Sequence, residues 1–292
     1  MIYRSTWHGR MDFMSSASNR IGREISQVNE RIATGKEINR PSDDPGRISQ
    51  LHTVREELKN QTMYSKNGGQ AEQLHVVVDT ALKDIHATLS SAREMAVQFA
   101  NEHYNADQRA EAATQADSYR EHALSLSNTQ FDERYVFAGT GYDEPAYSAA
   151  GVYEGSSDEP ETVVGKDLTV TTGFAGDDML TSSSDMFGAI EDLSTALTAN
   201  DTAGITAAID SIDSALRDVE QGMVTLGTQM RRAEDAIELS ESMSVQLAGT
   251  KADLEETNVV EAYTRLVQLQ TNFDAAMQAA SVQRYNGLFS RM

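Results

Sequence analysis

Residues 205–247 read ITAAIDSIDSALRDVEQGMVTLGTQMRRAEDAIELSESMSVQL, and their spacing decides the fold class. Ile205, Ile209, Ile212, Leu216, Val219, Met223, Leu226, Met230, Ala233, Ile237, Ser240, Ser244 and Leu247 alternate steps of four and three without a break. Residues recurring in this way fall on one stripe of an α-helix, and six heptads in one register make a coiled-coil-like seam. At ~1.5 Å per residue the helix is roughly 65 Å long. Helices of that length bury a seam rather than a thick core. Composition agrees: the 292 residues are 39% hydrophobic and 7% aromatic, with one Trp. Compact domains are roughly 45–50% apolar.

On the C-terminal side, Val259, Ala262, Leu266, Leu269, Phe273, Ala276 and Ala280 form another stripe. It is displaced by one residue from the register extended beyond Leu247, and Gly249 lies in the interval. Such a slip turns the apolar face toward different neighbours, so we expect a boundary between two structural layers there. On the N-terminal side, Met14, Ser18, Ile21, Ile25, Val28 and Ile32 make the matching stripe. Thr34-Gly35 supplies a helix stop. In the run Asn39-Arg40-Pro41-Ser42-Asp43-Asp44-Pro45, Pro41 keeps the residue before it out of helix. Asp44-Pro45 reads as an N-cap followed by a first-turn proline.

The helix that starts there carries Ile48, Leu51, Arg55 and Leu58, and Asn67-Gly68-Gly69 weakens it without necessarily ending it. Ala71, Leu74, Val78, Ala81, Ile85, Thr88, Ala92, Met95 and Phe99 continue the pattern. Asn105 with Gln108 reads as a capping box opening a helix to about Asn128. Residues 139–180 break the periodicity with glycines, prolines and acids around the β-prone pieces Glu161–Val164 and Leu168–Thr172. One or two exposed hairpins are expected there, with helix resuming near Asp185.

Formal net charge is −21, which argues against a nucleic-acid partner because phosphate binding needs a basic patch. Residues 139–204 hold thirteen Asp/Glu against Lys166 alone, so the middle of the chain reads as an acidic, water-facing segment. With no cysteine, disulfides and thiolate-bound metals are excluded. No run approaches the ~18 apolar residues of a membrane span, so no membrane insertion is expected. The start, Met1-Ile2-Tyr3-Arg4-Ser5-Thr6-Trp7-His8, lacks the apolar region of a signal peptide. The protein is therefore expected either to stay in the cytoplasm or to leave without a cleaved signal.

Nothing in the sequence assembles a catalytic, cofactor-binding or metal site. The histidines (His8, His52, His75, His86, His103, His122) lack the His-Glu-x-x-His spacing of a zinc helix. Asp43 and Asp44 suit helix capping better than acid–base work, because two carboxyls acting on one bond normally come from different elements. Gly139-Thr140-Gly141 lacks the third glycine of a dinucleotide loop. Met223 and Met230 lie on the seam as filler. Arg134, Tyr135 and Phe137 suit either a core or an interface.

Three stretches resemble the bacterial flagellin superfamily. They are Thr34-Gly35-Lys36-Glu37-Ile38-Asn39-Arg40-Pro41-Ser42-Asp43-Asp44-Pro45, then Asn128-Thr129-Gln130-Phe131-Asp132-Glu133-Arg134-Tyr135-Val136-Phe137-Ala138-Gly139, then Glu255-Glu256-Thr257-Asn258-Val259-Val260-Glu261-Ala262. The Pro-Ser-Asp-Asp-Pro form resembles the hook–filament junction branch (hook-associated protein 3) more than the filament flagellins. The motif positions are Asn39, Pro41, Ser42, Asp43, Asp44, Pro45, Arg134, Tyr135, Phe137 and Gly139. The ending Gly287-Leu288-Phe289-Ser290-Arg291-Met292 departs from the Leu-rich ends common in the family.

The resemblance implies a mainly α fold: an elongated, flagellin-like antiparallel bundle of long helices with a small β-containing insertion. Its layers would be residues 1–44 (N-terminal D0 helix), 45–139 (N-terminal D1 helices), 140–180 (acidic β-hairpin insertion), 181–250 (C-terminal D1 helices) and 251–292 (C-terminal D0 helix). It further implies an extracellular subunit of the flagellum, exported through the type III apparatus and assembled as a homo-oligomer in a helical or ring layer. The implied partners are flagellin, another hook-associated protein and an export chaperone at the C-terminal region. The expected D0 assembly seam is Met14, Ile21, Ile25, Val28 and Ile32 against Val259, Ala262, Leu266, Leu269, Phe273, Ala276 and Ala280. The D1 seam is Ile205, Ile209, Ile212, Leu216, Val219, Met223, Leu226, Met230 and Ile237. The alternatives are a filament-forming flagellin and, from another class, a coiled-coil signalling module.

Overall fold

The computed structural model describes the backbone of residues 7–181 and 184–289, and the side-chain surroundings of residues 12–181, 184–279 and 281. Its elements are α1 (Trp7–Thr34), α2 (Pro45–Phe99), α3 (Ala106–Ser127), β1 (Gln130–Phe131), β2 (Arg134–Tyr135), β3 (Glu161–Gly165), β4 (Leu168–Thr171), α4 (Gly176–Met179), α5 (Met186–Thr198), α6 (Thr202–Glu255) and α7 (Val259–Phe289). Helix dominates, and the strands form two separate antiparallel pairs, β1 with β2 and β3 with β4. The mainly α class with a small β insertion is the one the spacing pointed to.

The chain divides into two compact units, residues 1–59 with 244–292, and residues 60–243. In the first unit, α1 and α7 pack along each other. Low-numbered positions of α1 meet high-numbered positions of α7, as Ser18 near Met277 and Glu24 near Arg265 show, so the pair is antiparallel. Val28, Leu266 and Leu269 are buried between them, flanked by Ile21, Ile25, Ile32 and Ala262.

The second unit is built on the part of the α6 seam that runs from Ile205 to Ser240. Ile205, Ile212, Val219, Leu226, Ala233 and Ser240 of α6 are buried, and Ile209, Leu216, Met223, Met230 and Ile237 between them are half-buried. Ala208, Ala215, Gly222 and Ala236 are buried as well, so the packed face is wider than a strict two-position seam. From α2, the stripe Leu74, Val78, Ala81, Ile85, Leu89, Ala92 and Met95 joins the same cluster.

The helix α2 passes through Asn67-Gly68-Gly69 unbroken. A Cβ on Gly68 would lie 2.6 Å from Ile237 Cγ1, so the glycine allows close approach of α2 and α6. Its helix-weakening cost is accepted at a crossing where no side chain fits. Asn105 and Gln108 form the expected capping box of α3. Asp185 caps α5 by accepting from the amides of Phe187 and Gly188.

Residues 140–180 are less exposed than their acidity suggests. Tyr147, Phe174, Met179 and Leu180 are buried in the main cluster. The Asn128 side chain pairs with both the amide and the carbonyl of Tyr147, each at 2.9 Å. All the segment's acids except the half-buried Asp177 are exposed, while its irregularly spaced aromatic and aliphatic residues anchor it, so no period announces the burial.

Candidate assembly surfaces

The α1–α7 pair is narrow. Among the described residues, Val28, Leu266 and Leu269 are buried in it, and Met14, Ile21, Ile25, Ile32, Ala262, Phe273 and Ala276 are half-buried. Val259 is exposed, and the side chain of Ala280 lies outside the described residues. Beside the packed stripe, α7 presents Val260, Tyr263 and Val267 to water at 77%, 59% and 47% exposure. These positions, three and four apart, form a second apolar stripe on one helix face. Phe13 of α1 is 73% exposed. A helix pair with two apolar faces and one occupied has surface to offer another helix.

The links on either side of this pair are stapled together. Gly35, at φ +70°, ends α1, and its carbonyl accepts from the Thr257 amide at 3.0 Å. The Glu37 amide donates to the Glu255 carbonyl at 2.8 Å, and Thr257 Oγ1 donates to Glu37 Oε2 at 2.9 Å. Under this ladder the Glu255 carboxylate, 4% exposed, takes Lys36 and Arg55 on a single oxygen, the Arg55 contact being 3.0 Å. The hydrogen bond from Lys36, reinforced by Arg55, holds the Glu255 carboxyl below the usual carboxylate range despite its burial.

The paired aspartates are turn and cap residues. Asp44 Oδ1 accepts from the amides of Gly46 and Arg47 at 3.1 and 3.0 Å, the N-cap expected for α2. Asp43 Oδ2 accepts from the amides of Asn39 and Arg40 at 3.2 and 2.8 Å. Asn39 Nδ2 in turn donates to the Lys36 carbonyl. Pro41, Ser42 and Pro45 are exposed around this turn. Both carboxylates are committed to backbone amides.

The second motif divides between surface and core. Arg134 is exposed, with its guanidinium 4.5 Å from the centre of the Tyr142 ring, and Tyr135 is half-buried. Phe137 is fully buried, and its carbonyl accepts from the Gly176 amide at 2.8 Å. Gly139, at φ +60°, leaves no room for a Cβ, which would sit 2.0 Å from the Ser156 carbonyl oxygen. Arg134, Tyr135, Tyr142 and Phe131 line a groove of about 600 Å³ together with Asn67 and Gln70 of α2.

Three residues that the periodicity could not single out organise the second unit. Arg109 is 4% exposed and donates to the carbonyls of Phe99 and Asn101 at 3.0 and 2.9 Å and to Asn200 Oδ1. It ties the end of α2 to the turn before α6. Arg93 forms a two-point ion pair with Asp213. His75 is fully buried against Phe174, with Nε2 2.8 Å from the Thr171 carbonyl, and burial pushes its pKa below the ordinary value. Among the described residues, no group of three or more His, Asp or Glu is placed to hold a metal ion, and no helix is long and apolar enough to cross a membrane.

Residues 12–141 match the family described as the bacterial flagellin N-terminal helical region. The chain is 24% identical to flagellar hook-associated protein 3 of Escherichia coli K12, over 91% of this chain and 92% of that one. It is 22% identical to flagellin of Listeria monocytogenes, over 87% and 88% of the two chains. A solved structure described as a flagellar hook-associated protein from Vibrio parahaemolyticus superposes with a TM-score of 0.68 at 22% identity, covering 73% of this chain and 100% of that one.

Proposed function

We propose that this chain, a member of the flagellin-related structural proteins of the bacterial flagellum, is the subunit that joins a hook-associated protein to the flagellin filament. The observation that carries this reading is the span of the likeness to hook-associated protein 3, which takes in 91% of the chain and therefore most of both helical units. In this reading the protein is non-enzymatic and its mechanism is mechanical. Residues 1–44 and 251–292 form an inner D0 layer, in which the exposed stripe of Val260, Tyr263 and Val267 meets neighbouring copies. Residues 45–139 and 181–250 form the D1 layer, and residues 140–180 face outward. Many copies stack in a ring or helical layer, one side accepting the hook-associated protein and the other templating flagellin. Export proceeds without a cleaved signal, with a chaperone held at the C-terminal region until delivery.

Deleting the gene tests this. Loss of swimming with flagellin shed as unpolymerised monomer is expected, and normal filaments on the deletion strain would overturn the reading. A filament-forming flagellin is the second reading, favoured by the likeness to Listeria flagellin over 87% of the chain. Electron microscopy of the purified protein separates the two, since only a flagellin polymerises into long filaments. A coiled-coil signalling module fits poorly with a paired α1–α7 layer and a β-containing segment packed into the core.

A further inference from the structure

The chain's net charge is confined to one of its units. Residues 1–59 and 244–292 carry fourteen Lys/Arg against thirteen Asp/Glu, a net +1. Residues 60–243 carry ten against thirty-two, a net −22. The acidic excess is spread over many elements rather than gathered at one place. Asp117 and Glu121 on α3, Glu144 and Glu154 in the connecting segment, Asp192 on α5 and Asp210 on α6 are all exposed. The exposed apolar stripe of α7 lies in the neutral unit. Residues 60–243 also expose single apolar side chains such as Val152, Val224 and Leu239, but the net charge that opposes contact between copies belongs to this unit alone.

We infer that assembly of this subunit is gated by ionic strength, through mutual repulsion of the acidic 60–243 units of neighbouring copies. The inference rests on the reading of the chain as a subunit repeated in a layer. A large net charge keeps a protein soluble and monomeric by self-repulsion, and every copy added to a layer brings the same charge beside its neighbours. The Debye length is about 30 Å at 0.01 M salt and about 10 Å at 0.1 M. A helix with its side chains is about 10–12 Å across. At low salt the field of one unit thus reaches across a neighbouring helix, and at 0.1 M it is largely spent within one. Burial of apolar stripes in the neutral unit gains nothing comparable from added salt. The same charge that holds back assembly at low ionic strength keeps the free subunit from associating through that unit.

The test uses full-length protein in a strain lacking the chromosomal copy. It compares wild type with a variant carrying Asp117→Asn, Glu121→Gln, Glu144→Gln, Glu154→Gln, Asp192→Asn and Asp210→Asn. Filaments per cell and shed flagellin are measured in 0.01 M and 0.1 M NaCl, with sucrose balancing osmolarity. Wild type is expected to lose filaments about threefold or more at the lower salt, and the variant, with six acids neutralised, to lose about twofold or less. Equal salt responses, or none in wild type, overturn the inference while leaving the junction reading intact. Filaments on the strain with no copy at all overturn the junction reading and this inference with it. Light scattering of both purified proteins at the two salts provides a second measurement independent of export. Repulsion between wild-type monomers should weaken with salt and be smaller throughout in the variant, and identical scattering would also overturn the inference.

Discussion

Gly35 and Thr257, near opposite ends of the chain, are joined by a backbone hydrogen bond of 3.0 Å, so the links flanking α1 and α7 are fastened to each other. Glu255 secures that fastening from beneath, with Lys36 and Arg55 on one oxygen. Glu255→Gln keeps the shape and removes the charge. Both cations keep nearly half their side-chain surface in water, 49% and 44%, so they re-solvate readily. The cost is accordingly at the low end for a charged hydrogen bond, about 1–2 kcal/mol. The Glu255 carboxyl is held below its ordinary value, so its contribution is present above the unfolded carboxylate range and is lost as pH falls through the lowered value. Urea unfolding from pH 7 to pH 3 checks both points. An E255Q midpoint equal to wild type at pH 7 would refute the first.

His75 supplies a second acid-sensitive term, in the other unit. The ring is buried, and burial lowers its pKa against the opposing effects of the Thr171 carbonyl on Nε2 and of Glu72. A histidine whose folded pKa lies below the unfolded value of about 6.5 stabilises the fold fully above that value. The contribution is lost as pH falls through the folded pKa. Wild type should therefore lose stability between pH 7 and pH 5, and His75→Gln, weaker at pH 7, should show a flatter profile across that window. Parallel profiles in thermal unfolding would refute the assignment to His75.

Arg109 holds three acceptors with one planar fork. Lysine has a single ammonium and cannot span them, so Arg109→Lys and Arg109→Ala should both destabilise, by about 2–4 kcal/mol. Chemical denaturation of the two variants checks this. Lysine restoring wild-type stability would show that charge, not the fork, is what the site needs.

The α2–α6 crossing at Gly68 offers a complementary pair. Gly68→Ala places a methyl group against Ile237 and should cost about 1–3 kcal/mol through overpacking. Ile237→Ala removes the obstructing Cγ1, and in the double variant the two effects should cancel in part. A double variant whose loss equals the sum of the single losses would refute direct contact.

Legibility followed the range of the interaction. The α6 seam was plain because Ile205 through Leu247 repeat locally, and the Asn105–Gln108 box and the Asp44 cap were plain because a cap and its target lie within three residues. Arg109, His75 and Glu255 carried no such signal. Glu255 reads as one of two adjacent surface acids, and only the return of the chain beside Lys36 and Arg55 makes it a buried partner. The 140–180 segment misled for a related reason. Its acids are dense in sequence, while Tyr147, Phe174 and Leu180 are spaced without period and find the core through pairing of residues 136–139 with 174–176.

The thinness of the α1–α7 seam sets the last expectation. Among the described residues, Val28, Leu266 and Leu269 are buried there, against a long continuous cluster in residues 60–243. Single helices gain most of their stability from tertiary packing, and opening free energies across one protein range from near zero to the global value. In the monomer, amides of Ile21–Ile32 should exchange far faster than those of Val78–Leu89. On the proposed reading, in which assembly covers Val260, Tyr263 and Val267, it should slow exchange along both terminal helices. Hydrogen exchange on monomer and on assembled flagella measures both states. Monomer protection at Ile21–Ile32 as strong as at Val78–Leu89 would mean that the pair folds unaided and that its exposed stripe is not needed to order it.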